Sequence, residues 1–242
     1  MGACVGSFLN VCLFRWKQGG QIVAPSSFCP HCEKPIKWFD NIPVISFVLL
    51  GGRCRSCKAK ISWQYPIVEV LTAVLFWVGS LSVGQSPLAG LSNLVFISFL
   101  VLLAISDLKW RVLPHSFNNL FIVAGLIFSF FLSSMKFEEL FKCACGFVWL
   151  GSAPFLLAQY FPKGLGGGDI KMLAALAVWD GGLNTFLLLI FANVLALVGF
   201  FCLLATKRVD WGWKIPFGFF LAVSAFVFSV RPDLCDLLRN YL

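Results

Sequence analysis

Residues Lys163 to Met172 read KGLGGGDIKM, four glycines and an aspartate set between long apolar runs. Glycine has no side chain to restrict its backbone and loses the most entropy on ordering. Gly164, Gly166, Gly167 and Gly168 therefore predict a break in helical structure here. Asp169 follows at once. The surroundings decide what that means: 59% of the 242 residues are hydrophobic, 16% aromatic and only 12% charged. An average soluble domain carries about 25% charged residues, so this composition is that of an integral membrane protein. A carboxylate beside a flexible loop in such a chain is costly and marks a candidate for chemistry.

On either side of this loop, about eight segments approach the roughly 20 apolar residues that a spanning helix needs. They cover 1–14, 66–83, 88–106, 116–134, 139–160, 169–180, 183–205 and 214–230. The first is short, and 169–180 needs the glycine loop to complete a crossing. No cleavable signal peptide is expected, because the first segment lacks a basic start and runs into FRWK. Fifteen of the nineteen lysines and arginines fall in four groups: Arg15 to Lys60, Lys109 and Arg111, Lys163 and Lys171, and Lys207 to Lys214. With eight crossings all four lie on one face, which the positive-inside rule makes cytoplasmic. The net charge of +8 then suits anionic lipid headgroups and calls for no nucleic acid.

The ten cysteines divide into two populations. Cys4, Cys12, Cys143, Cys145, Cys202 and Cys235 lie in or beside apolar segments and read as small hydrophobes. The other four form two knuckles, Cys29-Pro-His-Cys32 and Cys54-Arg-Ser-Cys57, separated by 21 residues. A two-residue gap lets both sulfurs of a knuckle face one ion, and two knuckles complete the tetrahedral shell of a zinc site. Lys34, Arg53, Arg55 and Lys58 are placed to favour thiolates. A redox pair is the alternative, and structural disulfides do not suit a reducing compartment. His31 is a bystander once four thiolates are counted. Between the knuckles, FDNIPVISFVLL is too short and too interrupted by proline for a span and reads as a re-entrant or interfacial piece.

Three carboxylates resist placement in loops: Glu69, Asp107 and Asp169. Asp107 closes the third apolar segment and Asp169 opens the sixth, so both fall at the same expected depth. Two aspartates sharing a proton can activate water as base while the protonated partner donates to a peptide carbonyl. Helix caps paired with Lys109 or Lys171 are an equally good reading, and a transporter's proton relay is a third.

The ordered segments GACVGSFLNVCLFR (2–15), WFDNIPVISFVLLGGRCRSCKAKISWQYPIVEVLTA (38–73), SDLKWRVLP (106–114), GLGGGDIKMLAAL (164–176) and IPFGFFLA (215–222) together resemble the bacterial prepilin peptidases. These are intramembrane aspartyl proteases with a GxGD signature, matched here by Gly166-Gly167-Gly168-Asp169. The resemblance implies Asp107 and Asp169 as catalytic pair and a multi-pass protein of the bacterial inner membrane with its active site toward the cytoplasm. It implies prepilins of type IV pili and pseudopilins of type II secretion as substrates. It also implies methylation of the new N-terminus with S-adenosylmethionine, an activity associated with the cysteine loop. The sequence departs from the family pattern at His115, where relatives often carry Asp or Asn. The short first segment, with Gly2 and Gly6, is a second departure. The glycine loop gains a purpose from this reading. Peptide bonds inside a helix are sealed against attack, and a small-residue loop lets an unwound substrate backbone come close.

The fold expected is an all-α polytopic bundle: a first transmembrane segment at 1–14, a cytoplasmic zinc-binding loop domain at 15–65 and a membrane peptidase domain at 66–242. Glu69 reads either as a contact for the methyl donor's amino group or a substrate N-terminus, or as a membrane-edge acid paired with a loop Lys or Arg. Asn10, Asn41, Asn93, Asn118 and Asn193 are candidates for bridging helices. Trp16, Trp63, Tyr65, Trp110, Trp211 and Trp213 read as interfacial anchors. No dinucleotide or phosphate-loop motif locates the methyl donor.

Overall fold

The computed structural model describes residues 1–19, 27–82, 86–132, 166–206 and 214–234. The expected span at 139–160, together with Lys163, Gly164, Lys207, Arg208, Trp211, Trp213, Cys143, Cys145 and Cys235, lies outside the described residues. The described residues are helical apart from loops and two isolated antiparallel bridges. The chain forms two compact units, Met1–Leu81 and Ser82–Leu242.

In the first unit, α1 (Gly2–Gln18) runs past the expected end at residue 14 and takes FRWK into its last turns. Two features explain the extension. Arg15 and Lys17 sit in the last turn, where cations meet the negative end of the helix dipole. Gly19 then stops the helix in the left-handed conformation, φ 68°, with its N–H on the Arg15 and Trp16 carbonyls. α1 lies against α3 (Gln64–Ser82) through two small residues. A Cβ on Gly2 would stand 2.7 Å from the Ala73 Cα, and one on Gly6 2.9 Å from the Glu69 Cα. This is the small-xxx-small contact of apolar helices, in which backbones approach because nothing projects between them. Asn10 completes the seam, giving Nδ2 to the Tyr65 carbonyl and taking the Gln64 amide at its Oδ1. The loop between carries a short 3₁₀ turn (Trp38–Asn41) and α2 (Ile45–Leu49).

The second unit contains α4 (Pro87–Trp110), α5 (His115–Leu132), α6 (Gly167–Asp180), α7 (Gly182–Ala205) and α8 (Phe217–Val230). α4 packs on α5 and α8, α6 packs on α5, α7 and α8, and α7 packs on α8. Phe96, Phe121 and Trp179 form the aromatic centre, with ring centroids 5.2 to 5.7 Å apart. Gly125 makes room for the Trp179 indole, whose N–H donates to the Phe121 carbonyl at 3.2 Å. Of the described helices, α3, α4, α5 and residues 183–205 of α7 are long and apolar enough to cross a bilayer, and α8 is a shorter apolar helix. That supports an all-helical integral membrane protein and stops short of the expected eight spans.

Candidate active site and cysteine cluster

Asp107 does not end its helix, as the sequence reading had it. α4 continues one turn further to Trp110 because the Arg111 N–H closes on the Asp107 carbonyl at 2.8 Å, with Arg111 itself left-handed at φ 53°. The carboxyl group is consequently drawn into the bundle, and Asp107 is only 5% exposed. Its Oδ2 accepts the backbone N–H of Phe219 at 3.0 Å. That N–H belongs to the first turn of α8, where helix N–H groups have no partner in their own helix and favour an anion.

The glycine stretch corrects a second expectation. The break covers less of it than predicted, since α6 begins at Gly167 with Gly166 as N-cap. Glycine is tolerated there because an N-cap accepts it readily and the first-turn N–H groups need no partner four residues back. Gly166, Gly167 and Gly168 also keep ordinary negative φ. What they supply is proximity. A Cβ on Gly168 would lie 2.9 Å from the Leu113 Cβ, and one on Gly166 3.0 Å from the Asp169 Oδ2. Asn118 of α5 gives its amide to the Gly168 carbonyl at 3.4 Å, while its buried Oδ1 has no partner among the described residues.

The loop after α4 joins these parts. Leu113 touches the Gly168 position on one side and the Gly218 position on the other, and a Cβ on Gly218 would also stand 3.1 Å from the Asp107 Oδ2. Asp107, Asp169 and the start of α8 thus gather around Leu113 at one end of the bundle. Asp169 is half-buried, and Gly166 and Gly167 beside it are exposed. Asp180, at the far end of the same helix, is 11 residues or about 16 Å away and belongs to another place. The sequence reading missed Leu113, Gly218 and the Phe219 N–H, and gave Asn118 only a bridging role. A glycine two residues past Pro216, at the start of an apolar helix, was the one signal available. His115 is the first residue of α5.

The four loop cysteines converge as their spacing implied. The sulfurs of Cys29, Cys32, Cys54 and Cys57 all lie within 4.8 Å of one another, and Cys29 and Cys57 are 3.8 Å apart. Tetrahedral zinc with Zn–S of about 2.3 Å requires sulfurs about 3.8 Å apart, so the cluster fits a metal ion. Both knuckles are built alike. The first sits at the tip of the Phe28–Pro35 bridge, the second at the tip of the Arg53–Lys60 bridge. The residue after each second cysteine, Glu33 or Lys58, is left-handed, φ 56° and 61°. The peptide N–H groups of Cys57 and Ser56 hold the Cys54 thiol down to about 6. Cys57 is pushed up to about 11: the Ala59 N–H favours its thiolate, but lost solvation and hydrogen bonding with Cys32, Cys54 and Cys29 outweigh that. The thiolate preference of Cys54 therefore comes from the backbone. Arg55, expected to serve it, is engaged by the Asp40 carboxylate at 2.7 and 2.8 Å. His31 is exposed and outside the cluster.

Glu69 is 6% exposed, and its Oε2 accepts the Val44 N–H at 2.8 Å, with no Lys or Arg paired to it among the described residues. Val44 has φ 63°, a left-handed conformation strained for a β-branched residue, and the carboxylate helps to hold it. Glu69 also lines a partly open cavity of about 230 Å³ in the first unit, shared with Arg15, Asn41, Cys29, Cys54 and Tyr65. Among the other asparagines, Asn193 gives its amide to the Leu189 carbonyl of its own helix.

A family model described as the bacterial peptidase A24 N-terminal domain matches residues 1–83, and one described as the type IV leader peptidase family matches 94–205. The chain is 33% identical to a prepilin leader peptidase/N-methyltransferase of Neisseria gonorrhoeae, covering 96% of this chain and 89% of that one. It is 30% identical to one of Pseudomonas aeruginosa, covering 100% and 91%. A third, from Klebsiella pneumoniae, is 36% identical over 74% of this chain and 82% of its own. No solved structure matches at a significant level. With the knuckles in one unit and the two aspartates at one end of the other, the chain belongs to the type IV leader peptidase family.

Proposed function

We propose that this protein cleaves the leader peptides of type IV prepilins and type II secretion pseudopilins and methylates the N-terminus so exposed. The observation that carries the reading is the convergence of Asp107, Asp169, Gly168 and Gly218 through Leu113 at one end of the helical bundle. In the cleavage step one carboxylate takes a proton from water as the oxygen adds to the scissile carbonyl carbon. The other, protonated, donates to the carbonyl oxygen. Collapse of the tetrahedral adduct breaks the C–N bond and sends a proton to the leaving amine. Gly166 to Gly168 leave room for the unwound substrate backbone beside Asp169. Polar backbone at this depth is tolerable only where it lines a wet cavity, which the reaction needs as its source of water.

Cys29, Cys32, Cys54 and Cys57 hold one zinc ion in a closed four-sulfur shell, which makes its role structural. S-adenosylmethionine supplies a methyl group to an amine. Glu69, a buried carboxylate beside the knuckles, receives the ammonium group of the donor or of the new pilin N-terminus. The division of labour follows the chain: a first span at 1–14, the zinc-binding insertion at 15–65 and the peptidase domain at 66–242. The protein sits in the bacterial inner membrane with its basic loops and active site on the cytoplasmic side, as the distribution of lysine and arginine supports. A proton-relay transporter finds no support among the relatives.

The test is incubation of detergent-purified protein with an intact prepilin and labelled S-adenosylmethionine. A shortened pilin with a methylated N-terminus is expected by mass spectrometry. Unchanged substrate with a folded, zinc-loaded enzyme would overturn the reading.

A further inference from the structure

Outside the cavity that holds Glu69, the first unit carries an open groove of about 940 Å³. Small-molecule sites run to about 300–1,000 Å³. One wall is the outer face of α3, with Ile67, Val70 and Val74. The other is the loop, with Phe47, Val48 and Trp63. Val48 and Trp63 are each 69% exposed, and Ile67 59%. The apolar surface therefore continues without interruption from a helix fit to span a bilayer onto a polar, knuckle-bearing loop. The turn that shapes it needs glycine. Gly51 and Gly52 are both left-handed, φ 58° and 67°, and reverse the chain after α2 so that Phe47 tucks under the turn. Phe47 then meets Trp63 with centroids 5.0 Å apart.

Two cations rim the groove. Arg53 and Lys60 are bridge partners, so their side chains leave the same face. Like charges directly opposite repel, and both residues are exposed. Neither meets a carboxylate among the described residues, whereas Arg55 next in the loop is bound to Asp40. Such an arrangement favours an anion between the two cations and hydrocarbon below it.

We propose that this groove is a site for an anionic phospholipid, its phosphate between Arg53 and Lys60 and its acyl chains along Phe47, Val48, Trp63 and the outer face of α3. The choice of a lipid over a soluble anion rests on continuity with the spanning face. Charge complementarity selects anionic over zwitterionic headgroups. The site stabilises the knuckle loop against the membrane surface and is separate from the proposed chemistry at Asp107 and Asp169.

Native mass spectrometry of the full chain in detergent tests this, with phosphatidylglycerol, phosphatidylcholine or glycerol phosphate added. Phosphatidylglycerol should be retained in preference to phosphatidylcholine. Each basic residue near a membrane surface contributes about 1 kcal/mol, so Arg53→Gln with Lys60→Gln should weaken that retention about 30-fold. The charge-preserving exchange of Arg53→Lys with Lys60→Arg should keep it, and Val48→Asp should reduce retention of both lipids. Zinc content checks that each variant has folded. Equal retention of phosphatidylglycerol by wild type and the double glutamine variant would overturn the proposal. So would displacement of the lipid by glycerol phosphate alone, or lipid-free dimers lost on Val48→Asp, which would give the groove to a second copy of the chain.

Discussion

The two units assemble their candidate sites by opposite means. In Met1–Leu81 the sulfurs are brought together by two short turns of the same design, each fixed within a few residues by a bridge and one left-handed residue. In Ser82–Leu242 the aspartates arrive on different helices, and their setting is completed by a third helix more than a hundred residues from Asp107. The first kind of site depends on local geometry and tolerates change elsewhere. The second depends on packing and is sensitive to any residue that separates the helices.

The largest effect expected is on the aspartates. Asp107→Asn or Asp169→Asn should lower leader cleavage by about 10⁴-fold, since asparagine neither accepts a proton from water nor shares one. Methylation of a pilin supplied already cut should persist. A gel assay of cleavage beside a labelled-methyl assay reads both, and parallel loss of the two activities would erase the contrast between units.

Next comes the metal. Cys54→Ser with Cys57→Ser should take zinc from about one ion per chain to none, because two ligands cannot close a tetrahedral shell. Methylation should fall with it while cleavage stays near the wild-type rate. Elemental analysis of the purified variant decides the first point, and undiminished zinc would reject the cluster as the site.

Gly168→Val is a smaller and sharper probe. Its side chain would enter space 2.9 Å from the Leu113 Cβ, and a displacement of about 1 Å in a catalytic constellation costs on the order of 10²-fold. Gly167→Ala, where a Cβ meets no other part of the protein, should cost much less. Equal turnover in the two variants would show that the loop is only a linker.

The smallest effect belongs to the seam between α1 and α3. Asn10→Leu removes two interhelical hydrogen bonds, each worth about 0.6 kcal/mol and at most about 1.7 in a membrane protein. Thermal unfolding of zinc-loaded protein should show a drop of that order, with cleavage unchanged.

What could be read in the sequence follows the same division. The knuckles were legible because cysteine spacing dictates geometry over three or four residues. The helices were legible as apolar runs, though their ends moved: α1 by a dipole-favoured tail, α4 by a carbonyl that caught the Arg111 N–H. The glycines were recognised as a break, but α6 starts inside them at Gly167, and the closeness of Gly168 to Leu113 had no signature, since sequence speaks to backbone freedom and not to neighbours. Glu69 was singled out, but its partner, a backbone N–H at a strained Val44, had no signature. The contact of the Phe219 N–H with Asp107 was invisible for a related reason: a peptide group donates it, and every residue but proline has one.

α6 has 14 residues, which at 1.5 Å each gives about 21 Å, against a hydrocarbon layer of about 30 Å. A helix this short does not reach both faces by itself, and it is enclosed by α5, α7 and α8, with Ile170 and Met172 to Val178 buried. Asp169 stands on the end of that post. The height of the carboxylate is then set by the three helices that enclose α6, and a change in bilayer thickness can reach it only through them.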